Sequence, residues 1–258
     1  MKQNFNLRHL TIPVLLKNMY VILLLLCNCR FSTAQTDPLE KIEAFYNKQE
    51  RESCLEIYQG KDENLMQILL IRHGEPNLKK WGWKNRKAAK KFVHDYDSVG
   101  IIAFKENPIC IENLVIDKAF HSSLPRAKHT AELLFDQKLQ LVEKPEFREF
   151  ERKLIKFINV PLPLKFWTGS SRLLWLMGLN DKHIESFKDA KQRVEKNARF
   201  LENDAKYNKD VVLVAHGFHN RYVKKALKRS GWKEVRKGGN GYLSISILAK
   251  YKEYTTNN

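Results

Sequence analysis

The chain has 258 residues, 43% hydrophobic and 29% charged, enough for one domain of ordinary size with a real core, or at most two small ones. That balance excludes wholesale disorder and a multi-span membrane protein. The formal net charge of +17 raises the local concentration of anionic partners, but no basic motif interleaved with aromatics points to nucleic acid as a partner.

In chain order, the first 34 residues stand apart. Lys2, Arg8 and Lys17 form a basic lead, Met19 to Cys27 is apolar, and Ser32-Thr33-Ala34 places small residues where a signal peptidase cuts. The apolar run is about ten residues, short of the roughly twenty that cross a bilayer. The pattern predicts an export signal over 1–34 and a folded domain over 35–258, periplasmic or secreted and without a stable membrane span. An uncleaved anchor is the alternative; lipid attachment at Cys27 or Cys29 fits less well, because Leu26 or Asn28 would precede the modified residue. Cleavage takes four of the 46 basic residues and none of the 29 acidic ones, leaving a charge of +13. Cys54 and Cys110 remain, and an oxidising compartment lets them pair if the fold brings them together.

From Gln35 to about Met66 the chain is polar, with Ile42, Phe45 and Tyr46 at helical spacing, which predicts a lead-in helix and a turn. Ile68-Leu69-Leu70-Ile71 is a continuous apolar run ending at Arg72-His73-Gly74, the pattern of a buried parallel strand. A helix rich in Lys and Ala follows over about 84–96, its lysines on a solvated face. Leu114-Val115-Ile116 leads towards Phe120-His121-Ser122-Ser123, and Pro125 then opens a helix through Thr130 and Leu134. The stretch from Ile155 to Asp181, with Pro161, Pro163, Trp167, Trp175 and Met177, reads as packed loop, or alternatively as a lid. Phe187, Ala190, Val194, Ala198 and Leu201 mark an amphipathic helix. Val211 to Ala215 is a second buried strand, ending at His216-Gly217. Leu243, Ile245 and Ile247 alternate with serines as a closing, half-buried strand. Strands alternating with helices predict an α/β fold, a three-layer αβα sandwich with a mostly parallel central sheet.

Two strand ends thus carry a histidine followed by glycine, and parallel neighbours would bring both imidazoles into one pocket at the carboxyl end of the sheet. Arg126, at the start of a helix, points towards the same crevice. His216 and His219 stand three apart, the spacing of a metal pair on a helix turn, but no third ligand stands out, and no metal or other cofactor is expected. His121 and His129 read as structural or exposed.

These blocks resemble the histidine phosphatase superfamily, which includes the cofactor-dependent phosphoglycerate mutases. The matching pieces are Leu70-Ile71-Arg72-His73-Gly74-Glu75, Ser122-Ser123-Leu124-Pro125-Arg126-Ala127 with Thr130-Ala131, Phe147-Arg148-Glu149, Glu185-Ser186 with Arg193, and Val214-Ala215-His216-Gly217. The resemblance implies that His73 becomes phosphorylated, that Arg72, Arg126 and His216 bind the phosphoryl oxygens, and that Glu149 protonates the leaving oxygen, with Glu146 and Glu151 as rival acids. It implies a phosphomonoester hydrolase acting on a phosphorylated small molecule or phosphoprotein. A mutase and a non-catalytic phosphate-binding protein are the alternatives; export counts against the first, and retention of both histidines and both arginines against the second. After Glu75 the chain departs from the family, reading Pro76-Asn77-Leu78-Lys79-Lys80-Trp81-Gly82-Trp83, which puts substrate choice in question. Trp81, Trp83, Arg86, Trp167 and Trp175 are the candidate walls of the substrate pocket.

Overall fold

The sequence Leu-Met-Gln-Ile-Leu-Leu-Ile-Arg is apolar on both faces apart from one glutamine, and it forms strand β1 (Leu65–Arg72), buried along its length up to Arg72. Gln67 tolerates that position because its amide is satisfied. It accepts from the Tyr46 hydroxyl at 2.6 Å and donates to Tyr58 O and Asp210 Oδ1. The structure, a computed structural model, describes residues 37–49, 54–60, 62–79, 82–110, 116–135, 138–156, 159–179 and 182–252. The export signal expected over 1–34 lies outside them, as do Trp81 and Leu114-Val115.

The other strands are β2 (Trp83–Lys84), β3 (Lys118–Ser122), β4 (Gln140–Lys144), β5 (Leu162–Pro163), β6 (Asp210–Ala215), β7 (Lys233–Arg236) and β8 (Ile245–Tyr251). The helices are α1 (Pro38–Lys48), α2 (Arg86–Ser98), α3 (Pro125–Phe135), α4 (Leu164–Leu176), α5 (Phe187–Asn208) and α6 (Gly217–Arg229). The central sheet has the order β4-β3-β6-β1-β8-β7. Its first four strands are parallel, β8 runs antiparallel to β1, and β7 antiparallel to β8.

Alternation along the strands builds the layers. Leu69, Ile71, Val212 and Val214 face Ile42 of α1 and Ala127, Ala131 and Leu134 of α3. Ile68, Leu70, Val211 and Leu213 face Val194 and Leu201 of α5 and Val223 and Leu227 of α6. The result is the expected three-layer sandwich with a mostly parallel six-stranded sheet.

The stretch from Ile155 to Asp181 is not packed loop: it holds β5 and the thirteen-residue helix α4. Pro163 stands at the position before the first helical residue, and Trp167, Ser171 and Trp175 recur every four residues on the buried face. Phe166 and Leu173 are exposed on the other side, so apolar residues surround the helix and hide its period in the sequence. The closing strand is not half-buried, because its two faces pack into the two core layers, Ile247 and Ala249 on one side and Leu248 on the other, and all three are buried. Leu243 falls outside it, in a left-handed conformation at φ 55°.

Cys54 and Cys110 form a disulfide with their Cα atoms 5.2 Å apart. Leu55 between them hydrogen-bonds Pro108 O and Cys110 N at 2.8 and 2.9 Å. The bridge closes a loop with a sequence separation of 56, and loop-closure entropy then gives about 4 kcal/mol of stabilisation. Cys54→Ser/Cys110→Ser is expected to lose about 3–4 kcal/mol in urea unfolding; a loss under about 1 kcal/mol would mean that the unfolded chain is barely constrained by the bridge.

Candidate active site

The register of β1 and β6 pairs Arg72 with Ala215, and His73 N donates to Ala215 O at 2.9 Å. The next residue on each strand is therefore a histidine at the same level of the sheet. Their ring centroids lie 5.2 Å apart, with His73 at 2% exposure and His216 at 0%.

His73 Nδ1 lies 2.7 Å from Gly74 O. A carbonyl only accepts, so Nδ1 carries the proton and Nε2 is the basic nitrogen. Gly74 N donates to Thr130 Oγ1 at 2.9 Å, and Thr130 Oγ1 donates to Arg126 O at 2.5 Å, which ties the histidine turn to the first turn of α3. A side chain at Gly74 would put its Cβ 2.8 Å from Ile101 Cδ1, so the end of that isoleucine would have to shift to admit it.

Arg126 is 1% exposed. Its Nη1 donates to Tyr96 O at 2.8 Å and Asp97 Oδ1 at 3.0 Å, and the guanidinium sits 4.6 Å over the Tyr96 ring. Arg72 mirrors it from β1: Nη1 donates to Asn240 O, and the guanidinium lies 4.6 Å over the Tyr242 ring. In both arginines Nε is buried with no hydrogen-bond partner among the described residues.

His216 Nε2 is 2.8 Å from Ser122 Oγ, while its Nδ1 is buried and unpartnered among the described residues. Burial first, then the charges of Arg126, His73, His219 and Arg72, hold its pKa well below the ordinary histidine value. Glu149 follows the 3₁₀ turn Pro145–Phe147. Its Oε1 accepts from Phe150 N and His219 N at 3.0 Å and its Oε2 from Phe218 N at 3.2 Å, so it caps the first turn of α6.

Of the three rival carboxylates, Glu149 alone lines the cleft. Glu146 is exposed and contributes its carbonyl, which accepts from Arg193 and Asn197. Glu151 lies 3.8 Å from Arg148 and accepts from Glu185 N. Arg193 and Glu185 form a two-pronged ion pair at 2.8 Å, and Arg193 Nη1 donates to Glu146 O and Arg148 O. This second pair clamps the turn that delivers Glu149.

The cleft encloses about 520 Å³ and runs past Arg72, His73, Arg126 and Glu149. Among the described residues none of the expected tryptophans lines the cleft. Trp167 and Trp175 are buried core residues whose indoles donate to Lys84 O and Glu185 O, Trp83 is 70% exposed on β2, and Arg86 does not line the cleft. The walls are instead Tyr96, Asp97, Arg152, the Gly238–Asn240 loop and one face of α6. Regular basic spacing on α6 and the Lys237-Gly238-Gly239-Asn240-Gly241 run were the signals in the sequence that pointed there.

His121 is buried with Nδ1 on Ser122 O at 2.9 Å, and His129 is exposed. His219 is also structural. Its Nε2 accepts from Asn197 Nδ2 at 3.0 Å and Nδ1 faces Asn220 Oδ1 at 3.3 Å. Asn220 Nδ2 in turn donates to Ile71 O, next to the end of β1. Among the described residues no group of three potential ligands for a metal occurs.

Two buried histidines at the carboxyl ends of adjacent parallel strands, flanked by two arginines whose buried Nε atoms have no hydrogen-bond partner among the described residues, form a cationic pocket in an α/β sandwich. The chain belongs to the histidine phosphatase superfamily (branch 1), whose family model matches residues 68–257. Among solved structures it is similar to phosphoglycerate mutase from Bacillus anthracis, at 15% identity and TM-score 0.50 over 74% of this chain and 90% of that one. It also matches the ecdysone phosphate phosphatase of the silkworm Bombyx mori (15% identity, TM-score 0.42, 70% and 88% covered). A mycobacterial glucosyl-3-phosphoglycerate phosphatase matches at 18% identity and TM-score 0.44, with 72% and 90% covered. No curated protein sequence matches.

Burial pushes the His219 pKa down to about 3. The unfolded chain gains a proton near the ordinary histidine value of about 6.5 that the folded chain refuses, so stability is lost as pH falls from about 6.5 towards 3. Asp210, held up at about 6 by burial, works oppositely, taking its proton in the folded state first. His219→Gln is expected to lower the acid slope of unfolding free energy by up to about 1.4 kcal/mol per pH unit, measured by urea titration between pH 6.5 and 3.5; an unaltered slope would place the acid sensitivity elsewhere.

Proposed function

We propose that the chain is an exported, metal-independent phosphomonoester hydrolase that works through a phosphohistidine at His73. The observation that carries this reading is the set of buried donors with no partner among the described residues, Arg72 Nε, Arg126 Nε and His216 Nδ1, near a histidine whose Nε2 is its basic nitrogen. Burying donors without partners is costly, and a phosphoryl group would satisfy all three.

His73 Nε2 attacks phosphorus in line with the ester oxygen. The P–N bond forms as the P–O bond breaks, and the electron pair goes to the leaving oxygen, which takes a proton from the Glu149 carboxyl group. Arg72 and Arg126 balance the charge spread over the non-bridging oxygens. Ser122 Oγ accepts from Leu124 N at 3.3 Å, leaving its hydroxyl hydrogen for His216 Nε2. This arrangement leaves the proton on His216 Nδ1, which donates to a phosphoryl oxygen. The Glu149 carboxylate then takes a proton from water, the resulting hydroxide attacks phosphorus, and the P–N electron pair returns to Nε2 as phosphate leaves. Because the donors are already oriented, little reorganisation is needed when charge develops.

Export is supported by the Cys54–Cys110 disulfide, a bond that persists in oxidising compartments. N-terminal sequencing of the exported protein tests cleavage after Ala34.

The principal test is turnover of an aryl phosphate in EDTA. The unsubstituted chain is expected to release phosphate and to trap an acid-labile phosphoryl group, and His73→Ala to lose both. Equal turnover in the two proteins would refute the assignment. Glu149→Gln is expected to lower kcat for an alkyl phosphate by about 10² to 10⁴ and to slow an aryl phosphate far less, since that leaving group departs without a proton. Equal losses on the two substrates would remove Glu149 from the proton-donor role.

A further inference from the structure

Arg72, Arg126 and His216 account for one phosphoryl group, yet the cleft continues along α6. Arg221, Lys224, Lys225 and Lys228 line it, spaced three and four residues apart, so they occupy one helical face. At 1.5 Å per residue this face carries cations from roughly 6 to 17 Å beyond Gly217. Arg152 joins them from the loop after Glu149.

Little on the protein balances these charges. Among the described residues the carboxylates lining the cleft are Asp97 and Glu149, and both are engaged, one by Arg126 at 3.0 Å and the other by the first turn of α6. Glu234 pairs with Lys224 at 2.6 Å and lies 3.6 Å from Lys228. Among the described residues Arg152, Arg221 and Lys225 form no salt bridge, and Arg152 Nε is buried without a hydrogen-bond partner. Arg152 also faces a like charge: its proximity adds to the burial that pushes Arg172 down to about 10. Lys228 near the end of α6 is explained by the helix dipole. Arg221 and Lys225 stand exposed along the same face, whereas Arg152 is half-buried with its Nε buried and unpartnered among the described residues, and an uncompensated charge in such a place is costly.

We propose that the substrate is an elongated polyanion, a phosphomonoester whose body carries at least one further phosphate group, held by Arg152, Arg221 and Lys225 while the scissile phosphate lies at His73. This rests on the phosphatase reading above.

Hexyl phosphate and hexanediol bisphosphate differ by one terminal phosphate and share a neutral scaffold. The unsubstituted chain is expected to prefer the bisphosphate by tenfold or more in kcat/KM, chiefly through KM, and R221Q/K225Q to lose that preference. The charge-matched K188Q/K196Q, on the exposed surface of α5, is expected to keep it. Equal kcat/KM for the two esters in the unsubstituted chain, or a preference that survives R221Q/K225Q, would overturn the proposal. If neither ester is hydrolysed, the phosphatase reading fails by itself, and calorimetric binding decides the groove. At least tenfold tighter binding of the bisphosphate, lost in R221Q/K225Q, supports the polyanion track; equal or absent binding ends it.

Discussion

The pairing of Arg72 with Ala215 between two parallel strands governs the rest of the molecule. Because the ladder continues one step further, from His73 N to Ala215 O, two histidines leave the sheet side by side. Slipping the register by one residue would turn every side chain of the strand to the opposite face, exchanging the layer that packs on α1 and α3 for the one that packs on α5 and α6. The hydrophobic packing that stabilises the sandwich therefore also sets the separation of the imidazoles.

Around that pair the protein keeps positive charge inside by giving each arginine part of what it needs. Arg126 has a carbonyl, a carboxylate and an aromatic face; Arg72 has a carbonyl and an aromatic face. Each retains one buried donor without a partner among the described residues. Such a site is costly when empty and ready when filled, the general arrangement by which fixed dipoles and charges act on a developing charge.

Much of this was legible in the sequence because strand-end chemistry is local. The apolar runs before His73 and His216 announced buried strands, Pro125 announced α3, and Ser186 caps α5 by accepting from Asp189 N. What resisted reading was structure set by distant partners. Short β4 and charge-rich β7 lie at the sheet edges and carry weak apolar patterns. The period of α4 was masked by its exposed Phe166 and Leu173. The tryptophans near the motifs suggested pocket walls, but sequence proximity says nothing of direction: Trp167 and Trp175 are buried in the core and Trp83 is exposed on β2. That Glu149 and not Glu146 or Glu151 lines the cleft depends on the distant first turn of α6, which receives its carboxylate.

Helix α4 touches the chemistry without entering it. Arg172 donates to Phe150 O and Glu151 O at 2.9 and 3.0 Å, packing over Trp175 and Phe218, and Ser171 Oγ receives Ile155 N. The loop so held bears both Glu149 and Arg152, the residues assigned to the leaving group and to the far end of the ligand. Inheritance therefore acts on these two properties together. A lineage that remodels α4 moves proton delivery and ligand length in one step, whereas one that alters the cationic face of α6 changes what is recognised and leaves that loop in place.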